Sequence, residues 1–262
     1  MATQIIELKR PKLRRPVLVE GLPGVGNVGR IAAGYLVDEL KAKKFAELYS
    51  SHFMPFVLLQ ENSCVHMIKN EFFYWKAKKK GQRDLIILIG DSQSVDAEGH
   101  YEIAEAILDY VKSLGVREIF TLAGLSTGQM KEKPRVVGAV THPELVKKYK
   151  KYGIDFDTGT RVGTIVGAAG LLLGLGKVRG MKGVCLLGET AGFPIIPDPK
   201  SAQAVLQVLM KILNLKIDIS KLEKKVKDME NFIKKMERVQ RMAVELMKAP
   251  AKKKEGDLSY IG

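Results

Sequence analysis

Four short apolar runs dominate the pattern of this chain. They lie in PVLVEG (16–21), DLIILIGD (84–91), REIFTLAG (117–124) and KGVCLLGE (182–189). Each is bounded by charged residues, proline or glycine. A strand covered on both faces reads this way, because side chains on neither face meet water. Between these runs, apolar residues recur at helical spacing. Val28, Ile31, Ala32, Tyr35, Leu36 and Leu40 predict a helix over about 27–43, and Ile103, Ala104, Ile107, Leu108 and Val111 one over about 101–114. Strands alternating with helices predict an α/β fold with a central, mostly parallel sheet flanked by helices.

The remaining segments fill in that scheme. FAELYS (45–50), PFVLLQE (55–61), VHMIKNEFFYWKA (65–77) and PRVVGAVTH (134–142) read as strands. Asn62-Ser63 and Lys69-Asn70 compete as the hairpin turn, which leaves the register open. Pro143 opens a short helix. TRVGTIVGAAGLLLGLG (160–176) predicts a helix whose small residues let it lie close to the sheet, and PDP (197–199) a turn that starts another. This α/β domain is expected to span 1–215.

Beyond it the pattern changes. Ile219, Leu222, Val226, Met229, Ile233 and Met236 form a heptad seam, continued by Gln240, Ala243 and Met247. Ser220 and Glu223 fit a capping box, and Pro250 ends the run. The segment 216–249 is therefore a long helix, packed on its own domain or pairing with a second subunit. The segment 250–262 reads as a solvated, flexible tail.

The net charge of +14 raises the question of a polyanionic partner. The basic residues are scattered, with no aromatic-interleaved basic strand, so nucleic acid is not expected. No apolar run is long enough for a membrane span, and no signal core precedes the first strand, which places the protein in the cytoplasm. Cys64 and Cys185 give neither a disulfide framework nor zinc-ligand spacing, and His52, His66, His100 and His142 show no metal-binding pattern. Neither metal nor cofactor is expected.

Three motifs are candidates for chemistry. Gly24-x-Gly26-x-x-Gly29 follows a strand and opens a helix, as dinucleotide fingerprints do. The acidic ribose partner should fall near 50–53, where the residues are Ser, Ser, His and Phe. As a phosphate loop the stretch lacks the required Lys and hydroxyl, since Arg30 and Ile31 stand there. Gly21, Gly24, Gly26 and Gly29 are therefore assigned to a structural turn, with a small anion on the helix N-terminus as the alternative. GLSTG (124–128) matches a nucleophile elbow at Ser126, but Pro134 forbids a long following helix, and no Asp lies between Ser126 and His142. Asp91, Asp96, Glu98, Glu189 and Thr190 lie near strand ends, with helix capping the simpler role for Asp96 or Glu98.

The stretches GLPGVGNVGRIAAGYLVDEL, LAGLSTG, GLLLGLG and LLGETAGFPIIPDPKSAQAVLQVL resemble, in order and spacing, the archaeal proteasome-assembly-chaperone family, relatives of eukaryotic chaperone subunit 2. The resemblance covers Leu18 to Leu215. It implies an α/β fold similar to purine nucleoside phosphorylases without their catalysis. It also implies ATP-independent binding to proteasome α-subunits and homo-oligomer formation, with assembly alongside a family paralogue as a further reading. Docking in such proteins often uses a C-terminal hydrophobic–Tyr–X tail. Here Leu258, Tyr260, Ile261 and Gly262 would supply it, although Ser259 precedes the tyrosine and two residues follow it. The competing expectation is a phosphorylase- or hydrolase-type enzyme using a pocket formed by Gly24, Asp91, Ser126 and Glu189.

Overall fold

The computed structural model describes residues 3–129, 131–157, 163–192 and 196–227. The four apolar runs form β2 (Val17–Gly21), β7 (Leu85–Gly90), β8 (Glu118–Ser126) and β10 (Lys182–Thr190). They lie side by side in the order β7-β2-β8-β10, all parallel. Antiparallel strands complete an eight-stranded mixed sheet. β6 (Asn70–Trp75), β3 (Lys43–Tyr49) and β1 (Gln4–Glu7) extend one edge, and β9 (Val136–Val140) closes the other. The architecture agrees with the α/β fold read from the sequence.

Helices cover both faces. α1 (Val28–Leu40) and α5 (Pro199–Leu213) pack together on one side, and α2 (Ala97–Ser113) and α4 (Ala168–Val178) on the other. A short α3 (Glu144–Tyr149) follows β9. Strand alternation distributes the core accordingly. Val17, Val19, Phe120, Val184 and Leu186 join the α1/α5 layer, while Leu18, Ile119, Cys185 and Leu187 join the α2/α4 layer. Each large aliphatic side chain removed from water contributes roughly 2 kcal/mol, so these two layers dominate stability.

The glycine turn sets how closely α1 approaches the sheet. A Cβ on Gly29 would overlap the Leu122 carbonyl oxygen, and one on Gly21 would overlap the Gly29 carbonyl. Gly26 adopts φ 59°, a left-handed conformation that favours glycine. Gly24 differs: its backbone is extended at φ −172°, and an added Cβ would meet nothing nearer than Gln93 at 3.7 Å. Three of the four glycines thus have a steric requirement and the fourth has none.

Local chemistry sets the other helix boundaries. Asp96 accepts from Gly99 N at 2.7 Å and caps α2. Asp198 accepts from Ser201 N at 2.9 Å ahead of Pro199, capping α5. The glycine-rich helix begins only at Ala168, because Gly167 takes φ 81°. Of its expected span, residues 160–162 lie outside the described residues. The turn competition resolves in favour of Asn62-Ser63: Ser63 N donates to Gln60 O, and β4 (Val57–Leu59) pairs with β5 (Val65–Met67).

Core contacts continue past Leu215. Residues 220–227 are helical, Leu222 is fully buried in the α1/α5 layer, and Ile219 packs against it. At these positions the seam faces its own domain. Its cap is not the expected box. Asp218 accepts from both Ser220 N and Ser220 Oγ, each at 2.9 Å, while Glu223 N donates to Ile219 O. The carboxylate two residues upstream takes the hydroxyl that the box requires. Met229, Ile233 and Met236 lie outside the described residues.

Gly29→Ala is expected to lower the unfolding free energy by about 2 kcal/mol or more, and Gly24→Ala by less than about 0.5 kcal/mol. Urea titrations of the two variants check this contrast.

Candidate functional site

In open α/β sheets, ligands meet the carboxyl ends of the parallel strands. Here those ends hold most of the residues singled out from the sequence, but not in one site. A cavity of about 480 Å³ is lined by Glu20, Gly24, Gln93, His100, Ser126 and Ile165, among others. A second, of about 430 Å³, takes Ser126 and Glu189 on its wall. Asp91 lines neither. It accepts from His66 Nε2 at 2.7 Å and from Lys69 N at 3.2 Å, which ties the β4–β5 hairpin to the end of β7.

Topology explains why the glycine fingerprint has no acidic partner. A dinucleotide fold places the strand that follows the first helix beside the first strand. Here β7 and β6 intervene between β2 and β3. Residues 50–53, at the end of β3, therefore lie three strands away, about 14 Å at the usual strand spacing. Asp198 N donates to Gly26 O at 2.7 Å, so the turn is joined to the start of α5.

Ser126 lies at the carboxyl end of β8, paired with Thr190. His142 lies beyond Val140, which pairs with Val184 at the other end of β10. Six strand positions separate Val184 from Thr190, about 20 Å. Ser126 and His142 are too far apart to exchange a proton.

Glu189 is buried and fully engaged. It accepts from Lys131 Nζ at 2.8 Å, Arg135 Nη2 at 2.7 Å, Arg135 Nε at 3.2 Å and Arg135 N at 3.2 Å. Burial alone would raise its pKa, but Arg135 and Lys131 outweigh that and hold the carboxyl at about 2. Such a group is a poor proton acceptor near neutral pH.

Glu20 behaves oppositely. Pairing aligns Leu88, Glu20, Thr121 and Cys185 across the four inner strands, and alternation puts this row on the α2/α4 face. Glu20 is 1% exposed. Its Oε1 accepts from Leu22 N at 3.0 Å, and Oε2 has no hydrogen-bond partner among the described residues. Burial outweighs the Leu22 bond and pushes its pKa up to about 8, so the carboxyl is protonated at neutral pH. Burial likewise pushes the Cys185 thiol up to about 12, far from a reactive thiolate.

Among the described residues, exposed large apolar side chains gather at the β4–β5 hairpin. Val57 pairs with Met67 and Leu59 with Val65, placing four apolar side chains on one face of the ribbon. Leu59 is 75% exposed and Val65 69%, and Met54 and Phe56 are also exposed beside them. Leu58 and His66 take the other face, and His66 bonds to Asp91. A two-stranded ribbon exposing such a face is characteristic of an association surface. The signal in the sequence was the scarcity of charge: Glu61 is the only Asp, Glu, Lys or Arg over 51–68.

The expected docking residues Leu258, Tyr260, Ile261 and Gly262 lie outside the described residues. Among the described residues, no group of His, Cys, Asp and Glu is arranged to hold a metal ion, and no helix is long and apolar enough to cross a membrane.

A model of the PAC2 family matches residues 18–237. The fold is similar to Pyrococcus furiosus PbaB, an archaeal proteasome activator, at 47% identity and a TM-score of 0.86, covering 90% of this chain and 99% of that one. It is also similar to PbaA from the same organism, an archaeal homologue of proteasome-assembly chaperone, at 29% identity and a TM-score of 0.71, covering 92% and 99%. The uncharacterized protein MJ1210 of Methanocaldococcus jannaschii is 40% identical over 252 residues, 95% of this chain and 93% of that protein.

Replacing Glu189 with Gln is expected to cost about 2 kcal/mol of stability near neutral pH, because the buried ion pairs are lost. The folded pKa lies below the ordinary value of 4.5, so the stabilisation is complete above that value and is lost as pH falls through about 2. Thermal unfolding from pH 7 to 2 should show the wild type converging on Glu189→Gln at the acid end.

Proposed function

The chain belongs to the PAC2 family, and from that membership we propose that it is a non-enzymatic, nucleotide-independent chaperone or activator that binds the proteasome α-ring. The observation that carries this reading is the extended similarity to PbaB, described as an archaeal proteasome activator, over nearly the whole of both chains. The site geometry supports a binding role. Of the four residues an enzyme would draw on, Asp91 anchors the hairpin, Glu189 is consumed by cations, and Ser126 is remote from His142.

Docking is assigned to the C-terminal segment. Tyr260 acts as a rigid aromatic anchor, Leu258 and Ile261 add apolar contact, and the Gly262 carboxylate makes a charge-assisted bond. The extra residue after Tyr260 moves that carboxylate outward by at most about 3.6 Å, so several tails acting together compensate for one imperfect fit.

Self-association supplies those several tails. The exposed hairpin face is assigned to a second copy of this chain, with the heptad seam from Met229 onward as a further contact. Copies carrying +14 each repel over most of their surface. The nearly uncharged 51–68 segment is where they can approach most closely, and its apolar face gains from being covered. A second reading, assembly with a paralogue, is favoured by the occurrence of both PbaA and PbaB in Pyrococcus furiosus.

Two measurements test these assignments. Deleting Leu258 to Gly262 should abolish capture by immobilised proteasome α-subunits while leaving the oligomer intact; undiminished capture would remove the tail from the mechanism. The double substitution Leu59→Glu and Val65→Glu should reduce the mass measured by light scattering while the fold persists by circular dichroism. An unchanged mass would show that the hairpin does not join copies.

A further inference from the structure

The cavity over the carboxyl ends of β2, β8 and β10 has no part in the binding role just described, yet it is built around a residue that folding alone does not account for. Glu20 sits inside a strand covered on both faces, where an apolar residue of its size would be more stable. One carboxyl oxygen is held by Leu22 N, which fixes its orientation. The other, Oε2, is buried and has no hydrogen-bond partner among the described residues, and Glu20 is one of the residues lining the cavity. Around this polar point the lining is mainly apolar, with Leu22, Val25, Leu125, Ile165 and Leu187.

The mouth is braced. Gln93 donates to Pro23 O at 2.6 Å and accepts from Ala168 N at 2.9 Å, joining the glycine turn to the start of α4. Gly167 must be glycine there, because its φ is 81° and a Cβ would overlap Gln93 Oε1. The volume, about 480 Å³, falls within the range of small-molecule sites.

We propose that this cavity binds an uncharged, largely apolar small molecule carrying a hydrogen-bond acceptor, which receives its bond from the Glu20 carboxyl. An acceptor fits a buried carboxyl that has one oxygen without a partner and that burial keeps in its protonated, donating form. The titratable groups facing it are Cys185, a buried thiol in the same row, and His100 from α2 on the cavity wall. Among the described residues lining the cavity, Glu20 is the only Asp, Glu, Lys or Arg, so no ion pair there demands an ionic ligand. A cationic ligand also has to approach a chain of net charge +14.

The test is calorimetric titration of the full-length protein with benzamide and 2-pyridone as neutral acceptor probes and with benzylamine as the cationic probe. Saturable binding of a neutral probe below about 10 mM is expected, weakened about tenfold or more in Glu20→Leu. Because Glu20→Leu removes a buried polar group, it should fold, and circular dichroism checks this. If it does not, Ile165→Trp, which fills the cavity from its rim, should abolish the same binding. Failure of both neutral probes to saturate overturns the proposal, as does equal affinity in the variant that folds. Binding of benzylamine alone overturns the neutral-ligand assignment, and a crystal soaked with either neutral probe that shows only water at Oε2 overturns the site.

Discussion

Everything in this domain depends on a parallel sheet with no wet face. The four inner strands are covered by α1 and α5 on one side and by α2 and α4 on the other, so the side chains of their central portions must be accommodated in a dry layer. That requirement draws the helices close and places glycine wherever backbones meet. Gly29 lies on the Leu122 carbonyl, and Gly176 of α4 lies near Ile119. It also makes any polar residue within those strands costly. The glycine turn is thus first a packing device. Its likeness to a cofactor fingerprint follows from a shared need to seat a helix on a strand.

A buried centre leaves the exposed apolar side chains to the periphery. The hairpin lies outside the main sheet, is anchored by the His66–Asp91 contact and turns four apolar residues outward. Most of the positive charge lies elsewhere, which is what the proposed meeting of copies at the hairpin requires. The strand ends on the opposite edge are stapled by the Glu189 network.

Much of the fold was legible in the sequence because doubly buried strands have a distinctive composition. β1 was not: QIIE is four residues long, lies at a sheet edge and is mostly exposed, so it carries little burial pattern. The hairpin register was undecided by local rules because two polar turns competed, and the Ser63 N to Gln60 O bond selects one. The role of Glu189 was hidden because its partners Lys131 and Arg135 come from more than fifty residues away. Glu20 was visible from the start as a carboxylate inside PVLVEG, but strand position alone could not tell a rim residue from a buried one. Leu222 fits a coiled-coil seam and an amphipathic helix equally well, and only its burial against this domain distinguishes the two.

The central claim is that this PAC2-family chain acts by binding proteasome α-subunits without chemistry of its own. Sedimentation velocity of the full-length protein mixed with assembled α-rings, in the absence of nucleotide and divalent metal, tests it most directly. The account predicts a faster-sedimenting species containing both proteins, with its proportion rising with concentration. Two independent boundaries at every ratio would contradict it.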